Sequence, residues 1–455
     1  MTTTTAKTTS TTTQISRSGI LKLAWPIILA NASVPLLGLV DTAVIGNFGS
    51  LAGLGAIAFG AVIFSFVYWG FGFLRMGTTG FVAQAAGAGD EQEVRAALWR
   101  ALLLALVLGV LLLVLQSFIL AVSLFLLNGS DQVEALTTDY FRIRIWGAPA
   151  ALGLFALMGT LVGLGRSKSL LLVQLVLNGL NMLLDIWFVA FMDWGVAGIA
   201  LGTVLAEWIS VVLAMGLVLR LLLQTRDAGG LAITLFPRAR VLHPGRFRQM
   251  LTANADIMIR TLLLVFSFAW FIALSADFGD EVLAATHILL QLISFSAFFL
   301  DGFAYVAEAL VGRACGSKNL AAFDQAVWRS TELAAVSAAG LAVLIVLGGS
   351  WAVAQLTAFA AVRTAAQAML PLAALYVLLS FAAFQLDGIF IGATRTRQMR
   401  NAAVVSSLLF LLLSLPLTAW WASSGLWLAF IAYLCLRAVA LAWHYPVLRT
   451  SVGAS

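Results

Sequence analysis

Long runs of uncharged, mostly apolar residues constrain this chain more than any other feature of its sequence. Only 10% of the 455 residues are charged and 62% are hydrophobic, which is too little charge to cover the surface of a soluble protein of this length. A helix needs about 20 apolar residues to cross a bilayer. Runs without Asp, Glu, Lys or Arg lie at 51–74, 101–130, 145–165, 333–362, 364–386 and 401–436. The sequence therefore predicts an all-α polytopic membrane protein.

The apolar pattern divides into twelve predicted transmembrane helices. We place them at 20–45, 54–83, 96–127, 140–164, 169–192, 196–220, 250–276, 283–312, 327–360, 366–394, 402–421 and 425–447. The predicted domains are a disordered tail at 1–16, an N-terminal lobe at 17–220, a linker at 221–249 and a C-terminal lobe at 250–448. The Thr-rich tail lacks the apolar core of a signal peptide.

The charged residues predict how the chain is oriented in the membrane. Basic residues cluster at 166–168, 238–248 and 395–400, in loops on one side, whereas the opposite loops are acidic. An excess of Lys and Arg marks cytoplasmic loops, so we expect both termini to be cytoplasmic. This asymmetry accounts for the net charge of +6 without a nucleic-acid partner.

The two halves of the chain resemble each other. AQAAGAGDEQEVRAALWR at 83–100 aligns with GRACGSKNLAAFDQAVWR at 312–329, and VGLGRSK at 162–168 aligns with IGATRTR at 391–397, both at the same shift along the chain. Because six spans are an even number, both halves enter the membrane from the same side. The sequence thus predicts two parallel six-helix repeats, an arrangement in which transporters bind substrate near the repeat interface and rock one half against the other.

Several polar residues fall inside the predicted N-terminal spans at a similar depth. Asp41 interrupts LGLVDTAVIG in the first span, and Asn178, Asn181 and Asp185 share one face of the fifth. Counting about 1.5 Å per residue from the helix ends puts Asp41, Asp185 and Thr203 about 8–10 Å below the outer surface. An ionisable group at such a depth usually faces a water-filled cavity or a partner. A helix-end role for Asp41, and simple helix-to-helix hydrogen bonding by the amides, remain alternatives.

Other embedded polar residues leave more than one interpretation open. Asp256 and Arg260, four residues apart, are predicted to form a structural ion pair. Glu207 is either a proton relay or a packed, protonated acid, and Tyr140, at the outer end of the fourth span, is placed in a substrate-binding cavity. An inner gate, a second cation site or scattered structural pairs would each account for the embedded charges, which are Arg75, Asp256, Arg260, Asp301, Glu308 and Asp387. The two cysteines and three widely spaced histidines form no metal-ligand motif, so we expect no metal and no cofactor.

Four separate blocks carry a resemblance to a known family. LAWPIILANASVPLLGLVDTAVIG, LNGLNMLLDIWFV, FLDGFAYVAEALVGRACG and QLDGIFIGATRTRQMRNA resemble the multidrug and toxic compound extrusion (MATE) family, in its DinF-like branch. The resemblance implies an exporter of organic cations and amphipathic compounds driven by inward H⁺ or Na⁺. It also implies that Asp41 is the proton site, that Asn181, Asp185 and Thr203 belong to a hydrogen-bonded network, and that the first helix bends near Pro26.

The seventh span favours H⁺ over Na⁺ as the coupling ion. It contains no acid in TLLLVFSFAWFIALSA, where the Na⁺-coupled branch is similar in carrying a glutamate, although Asp387 falls where that branch has an aspartate. We therefore expect a monomeric, proton-coupled antiporter of amphipathic or cationic small molecules in the bacterial inner membrane, and not an enzyme. A Na⁺-coupled antiporter and a lipid-linked oligosaccharide flippase are the alternatives.

Overall fold

The computed structural model describes residues 15–48, 50–224 and 234–453, and every regular element within them is helical. The first half comprises α1 (Arg17–Phe48), α2 (Leu51–Trp69), α3 (Phe73–Gly87), α4 (Glu91–Val114), α5 (Gln116–Leu127), α6 (Asp131–Arg144), α7 (Ala148–Gly163), α8 (Ser167–Ile186) and α9 (Gly195–Gln224). The second half comprises α10 (Arg238–Val241), α11 (Pro244–Ala276), α12 (Asp280–Gly316), α13 (Leu320–Leu356), α14 (Ala360–Gly392) and α15 (Thr396–Gly453). The proposed tail lies almost wholly outside the described residues.

The helices account for twelve membrane spans. Eleven helical segments of the described chain are long and apolar enough to cross a bilayer. The last, α15, has 58 residues, and its backbone leaves the helical conformation at Trp421 and Ala422. A methyl group at Gly425 would lie 1.9 Å from the carbonyl oxygen of Leu417, so the chain folds back on itself at this break. α15 thus supplies two spans, divided where the sequence predicts.

Packing inside the two lobes repeats at the shift seen in the sequence. A methyl group at Gly159 would lie 2.4 Å from the carbonyl oxygen of Arg75, and one at Gly388 would lie 2.5 Å from that of Ala304. Gly388 and Ala304 are the counterparts of Gly159 and Arg75 in the second repeat. The close crossing of α3 and α7 is therefore reproduced by α12 and α14, which confirms the duplicated architecture.

The repeats also meet each other symmetrically. A methyl group at Gly87 would lie 2.1 Å from the carbonyl oxygen of Arg313, and one at Gly316 would lie 1.9 Å from that of Gln84. The two contacts are equivalent by symmetry, because Gly87 corresponds to Gly316 and Gln84 corresponds to Arg313 in the other repeat. Between them, Ala83 touches the position of Gly312, which is its own counterpart in the other repeat. The approximate two-fold axis of the molecule passes through this point.

The two lobes pack together at the end of the bundle where α3, α7, α12 and α14 finish, which we call the basic end. Further into the bundle, α1 packs on α12, with Ile28 against Gly302, and Asn31 Nδ2 donates to the carbonyl oxygen of Phe298 at 3.3 Å. At the opposite end each lobe has its own core, centred on Phe64 in one lobe and on Phe271 and Phe430 in the other.

Candidate ion-coupling site

Helix α8 carries a buried polar stripe. Asn178, Asn181 and Asp185 are 3%, 1% and 0% exposed, and their spacing places them on one face of the helix, as predicted. Leu175, Leu183 and Ile186 on the same helix are exposed. An apolar surface outside and polar groups inside are what a membrane helix requires when its polar face lines the protein interior.

The stripe ties α8 to the helices on either side. Asn178 Nδ2 donates to Ser33 Oγ of α1 at 2.6 Å, while Asn178 Oδ1 accepts from Gln174 at 3.2 Å. Asn181 Nδ2 donates to Thr203 Oγ1 of α9 at 2.8 Å. The network that joins α1, α8 and α9 includes two residues, Ser33 and Gln174, that the sequence analysis missed.

The carboxyl groups of Asp41 and Asp185 adjoin each other at one end of this network. Asp185 is fully buried and Asp41 is half-buried. Both carboxyl oxygens of Asp185, and Oδ1 of Asp41, are buried without a hydrogen-bond partner in the described part of the chain. Two ionised carboxylates only accept hydrogen bonds and repel each other. A proton or another cation between them would supply the missing partner.

Gly202 of α9 allows Asp185 to occupy this position. A methyl group at Gly202 would lie 2.4 Å from Asp185 Oδ1 and 3.3 Å from the Asp185 backbone nitrogen. The absence of a side chain therefore leaves the carboxyl group its space between α8 and α9. At the next position of α9, the hydroxyl of Thr203 also donates to the carbonyl oxygen of Ile199 at 2.9 Å.

A buried ion pair lies beside the two aspartates. Arg144 donates to Glu207 through two nitrogens, at 2.7 and 2.9 Å, and both side chains are less than a tenth exposed. Glu207 thus has a charged partner within the protein. Tyr140 is also buried, packed edge-on against Phe64 with ring centroids 6.0 Å apart.

The predicted pair of Asp256 with Arg260 is wrong. Arg260 donates to Asp387 of α14, which also accepts from Arg437 at 3.0 Å. Asp256 instead accepts from Arg400 at 2.8 Å and from Thr396 at 3.1 Å. Neighbouring helices offer both residues closer partners than the next turn of α11 does.

A second buried ion pair connects the two lobes. Arg75 of α3 donates to Glu308 of α12 at 3.0 and 3.4 Å. Its guanidinium also lies over the ring of Tyr305, with 3.8 Å between its central carbon and the ring centroid. Asp301, on the same face of α12, interacts electrostatically with Arg75. Arg75, Glu308 and Asp301, whose roles the sequence does not decide, thus lie at the lobe interface.

Helix α1 passes through the site as one continuous helix. It contains Pro26, which is buried, and a second proline, Pro35. Each proline leaves one carbonyl of the preceding turn without its helical hydrogen bond. Asp41 and Ser33 lie beyond Pro26 on this helix, so a bend at Pro26 would move both.

Comparison with known proteins identifies the family. A family model described as MatE matches residues 26–187 and again residues 257–417, so that each lobe carries one match. DNA damage-inducible protein F of Escherichia coli (strain K12) is 37% identical over 428 residues, which cover 94% of this chain and 91% of that protein. A probable multidrug resistance protein NorM of Deinococcus radiodurans is 30% identical over 484 residues, which cover all of this chain and 99% of that protein.

Solved structures agree with the fold. One described as MATE in the bent conformation has a TM-score of 0.85 at 17% identity, and covers 96% of each chain. Another, described as the outward-facing conformation of a multidrug resistance MATE family transporter, has a TM-score of 0.83 at 16% identity, covering 96% of this chain and 97% of that one. The chain is a multi-pass membrane transporter that belongs to the MATE family, in its DinF-like branch.

Proposed function

We propose that this transporter exports amphipathic, often cationic compounds in exchange for protons, and that Asp41 and Asp185 are its coupling pair. The observation that supports this is the adjoining pair of carboxyl groups, whose buried oxygens find no hydrogen-bond donor among the residues that the structure describes. A single proton shared by the two groups both removes their repulsion and provides the donor. The names of the relatives, which describe multidrug resistance proteins, support the substrate class.

The half-buried position of Asp41 makes it the member of the pair that exchanges its cation. In the ionised form its carboxylate attracts a cationic drug. Proton uptake removes that attraction, so the drug and the proton compete for one charge. Inward movement of one proton releases about 2.3 kcal/mol of free energy per 100 mV of membrane potential. This free energy drives release of the drug to the outside.

Protonation reaches α1 through the hydrogen bonds of α8. Losing the charge at Asp41 changes the balance between the Asn178–Ser33 and Asn181–Thr203 bonds. Because Ser33 and Asp41 both lie beyond Pro26, the rearrangement bends α1 near that proline and reduces the space available to the substrate. Tyr140 acts as a buried support for this region.

The charges at the lobe interface support an alternating-access cycle. By the positive-inside rule the basic end is cytoplasmic, so lobes packed there correspond to the state closed to the cytoplasm. The Arg75–Glu308 pair then belongs to the inner gate. Two ion pairs within the C-terminal lobe, Arg260 with Asp387 and Arg400 with Asp256, support the gate from one side. Asp301 lies beside the gate.

Two other functions remain as competitors. A carboxylate pair also suits Na⁺, which prefers oxygen ligands, and this is the Na⁺-coupled alternative. A lipid-linked oligosaccharide flippase needs a cationic chamber for pyrophosphate, and the acidic pair in the N-terminal lobe disfavours it. Asp387 is a poor second cation site, because two guanidinium groups already neutralise it.

Efflux from proteoliposomes under separate pH and Na⁺ gradients tests the proposal. We expect a cationic fluorescent substrate to move under the pH gradient alone. We expect Asp41→Asn to abolish this movement, because the amide mimics the protonated state. Asp139→Asn, at an exposed acid of α6, is the matched control and should transport like the unmodified protein. Efflux driven only by Na⁺ would favour the alternative, and pH-driven efflux by Asp41→Asn at the unmodified rate would overturn the assignment of Asp41.

A further inference from the structure

A cavity at the basic end lies outside the acidic site described above. It has a volume of about 530 Å³ and lies between the start of α11 and the start of α15. Its walls include Arg248, Thr252 and Asp256 of α11, Arg395 and Arg397 around the start of α15, and Phe81 of α3. The C-terminal lobe therefore forms most of the cavity, and the N-terminal lobe contributes one aromatic wall.

The cavity carries an excess of positive charge. Arg248, Arg395 and Arg397 are exposed, and within the described chain none of their guanidinium groups makes an ion pair or hydrogen bond. The single acid of the wall, Asp256, is buried and already bound by Arg400 and Thr396. Many other arginines of this protein have partners, such as Arg17 with Glu332 and Arg449 with Asp324. Three unpaired guanidinium groups thus border one cavity.

Guanidinium groups in this arrangement favour a phosphate ligand. The planar donors of arginine match the oxygens of phosphate and form strong, charge-assisted hydrogen bonds. A volume of this size falls in the range of small-molecule sites, so it accommodates a phosphodiester with its substituents. Leu242 and Leu251, near the cavity residues in sequence though not part of the cavity wall, are 56% and 40% exposed.

We propose that this cavity binds the phosphate group of an anionic phospholipid. The cavity residues lie beside the starts of the predicted spans at 250–276 and 402–421, where lipid headgroups are expected. Basic pockets between helices on the cytoplasmic side suit acidic headgroups. Because Phe81 belongs to the other lobe, a lipid bound here contacts both lobes. Such a ligand stabilises the state in which the lobes are packed at the basic end, since it binds that state better.

The repeat symmetry provides a matched test. Arg395 and Arg397 correspond to Arg166 and Lys168, at the same turn of the other lobe. The double variant Arg395→Gln/Arg397→Gln and the control Arg166→Gln/Lys168→Gln remove the same number of charges from equivalent turns. Native mass spectrometry then measures phosphatidylglycerol retained by each protein after delipidation and exposure to mixed phosphatidylglycerol and phosphatidylcholine. A second pair, Arg248→Gln with the control Arg246→Gln on the same helix, serves if the first variant does not fold.

We expect the unmodified protein and the controls to retain phosphatidylglycerol, and the cavity variants to retain at least fivefold less. Competition with inorganic phosphate distinguishes a phospholipid from a soluble phosphate as the ligand. If phosphate displaces the lipid only at concentrations far above that of the lipid, the lipid assignment stands. If phosphate alone binds as tightly as the lipid does, the lipid assignment is overturned in favour of a soluble anion. Equal lipid retention by the cavity variants and their controls would overturn the site altogether.

Discussion

Ala83 and Gly312 occupy equivalent positions of the two repeats and touch each other across the approximate two-fold axis. A methyl group at Gly312 would lie only 2.5 Å from the Cβ atom of Ala83. Because each residue contacts its own counterpart, a larger side chain here pushes on both lobes at once.

We predict that Gly312→Leu opens the basic end. Overpacking of a close contact costs about 1–3 kcal/mol, which corresponds to a change of roughly 5- to 150-fold in the ratio of closed to open states. Spin labels at positions 168 and 397, on a background without Cys315 and Cys435, report the distance between the lobes. We expect a longer-distance population to appear. Gly340→Leu is the control, because a side chain there meets nothing within 4 Å; an unchanged distance in Gly312→Leu would contradict the prediction.

The Arg75–Glu308 pair should hold the same interface together. Glu308→Gln leaves a buried guanidinium without its carboxylate, and removing one partner of a buried pair costs about 3–5 kcal/mol. We expect the 168–397 distance to increase and the exchanged variant Arg75→Glu/Glu308→Arg to recover part of the original distribution. A Glu308→Gln protein that keeps the closed distance would exclude a gating role for this pair.

Thr203→Val tests the amide network without changing the size of the side chain much. The substitution leaves Asn181 Nδ2 buried without its acceptor, at a cost of about 1–3 kcal/mol. We expect pH-driven efflux to fall several-fold while membrane insertion is unchanged. Thr364→Val, which removes only a hydroxyl bonded to its own helix at an exposed position, should have no effect. Comparable losses in the two variants would show that the Asn181–Thr203 bond has no special role.

Asp387 should act in stability rather than in coupling. Asp387→Asn leaves Arg260 and Arg437 facing each other without a counter-charge, so we expect a lower melting temperature in detergent. Adding Arg437→Gln removes one of the two charges and should restore part of the loss. In the double variant the pH dependence of efflux should match that of the unmodified protein. A double variant that loses its pH dependence, as Asp41→Asn is expected to do, would move the coupling site to the C-terminal lobe.

The sequence predicts the fold and part of the site because both depend on position along a helix. Apolar runs define the spans, and counting residues from a helix end places Asp41 and Asp185 at one depth, where the structure brings their carboxyl groups together. The buried face of α8 follows from its spacing in the same way. Which residues form ion pairs with each other cannot be predicted from position along one helix, because it depends on how the helices pack. Asp256 and Arg260 satisfy the i, i+4 rule, yet both bind residues on other helices.

Two further residues illustrate what spacing cannot reveal. Ser33 lies in a segment of small and apolar residues, and nothing nearby distinguishes its hydroxyl from one that only bonds its own helix. Arg144 has no acid three or four residues away to indicate its partner in the sequence, and the structure buries it against Glu207 of α9. In both cases the deciding neighbour lies on a helix that is distant along the chain.

The buried charges of the two lobes carry a record of the gene duplication. Glu207 and Arg437 occupy corresponding positions of the two repeats at the shift of 230 residues that relates Gly195 to Gly425, one more than the shift of the earlier helices, so one ancestral site now holds opposite charges. Each is neutralised by a residue of the fourth span in its own lobe, Arg144 in one and Asp387 in the other. At this position each half therefore holds a buried charge beside an opposite charge of its own fourth span, although Asp387 also pairs with Arg260. Two copies of one helical scaffold thus carry opposite charges at one equivalent buried position.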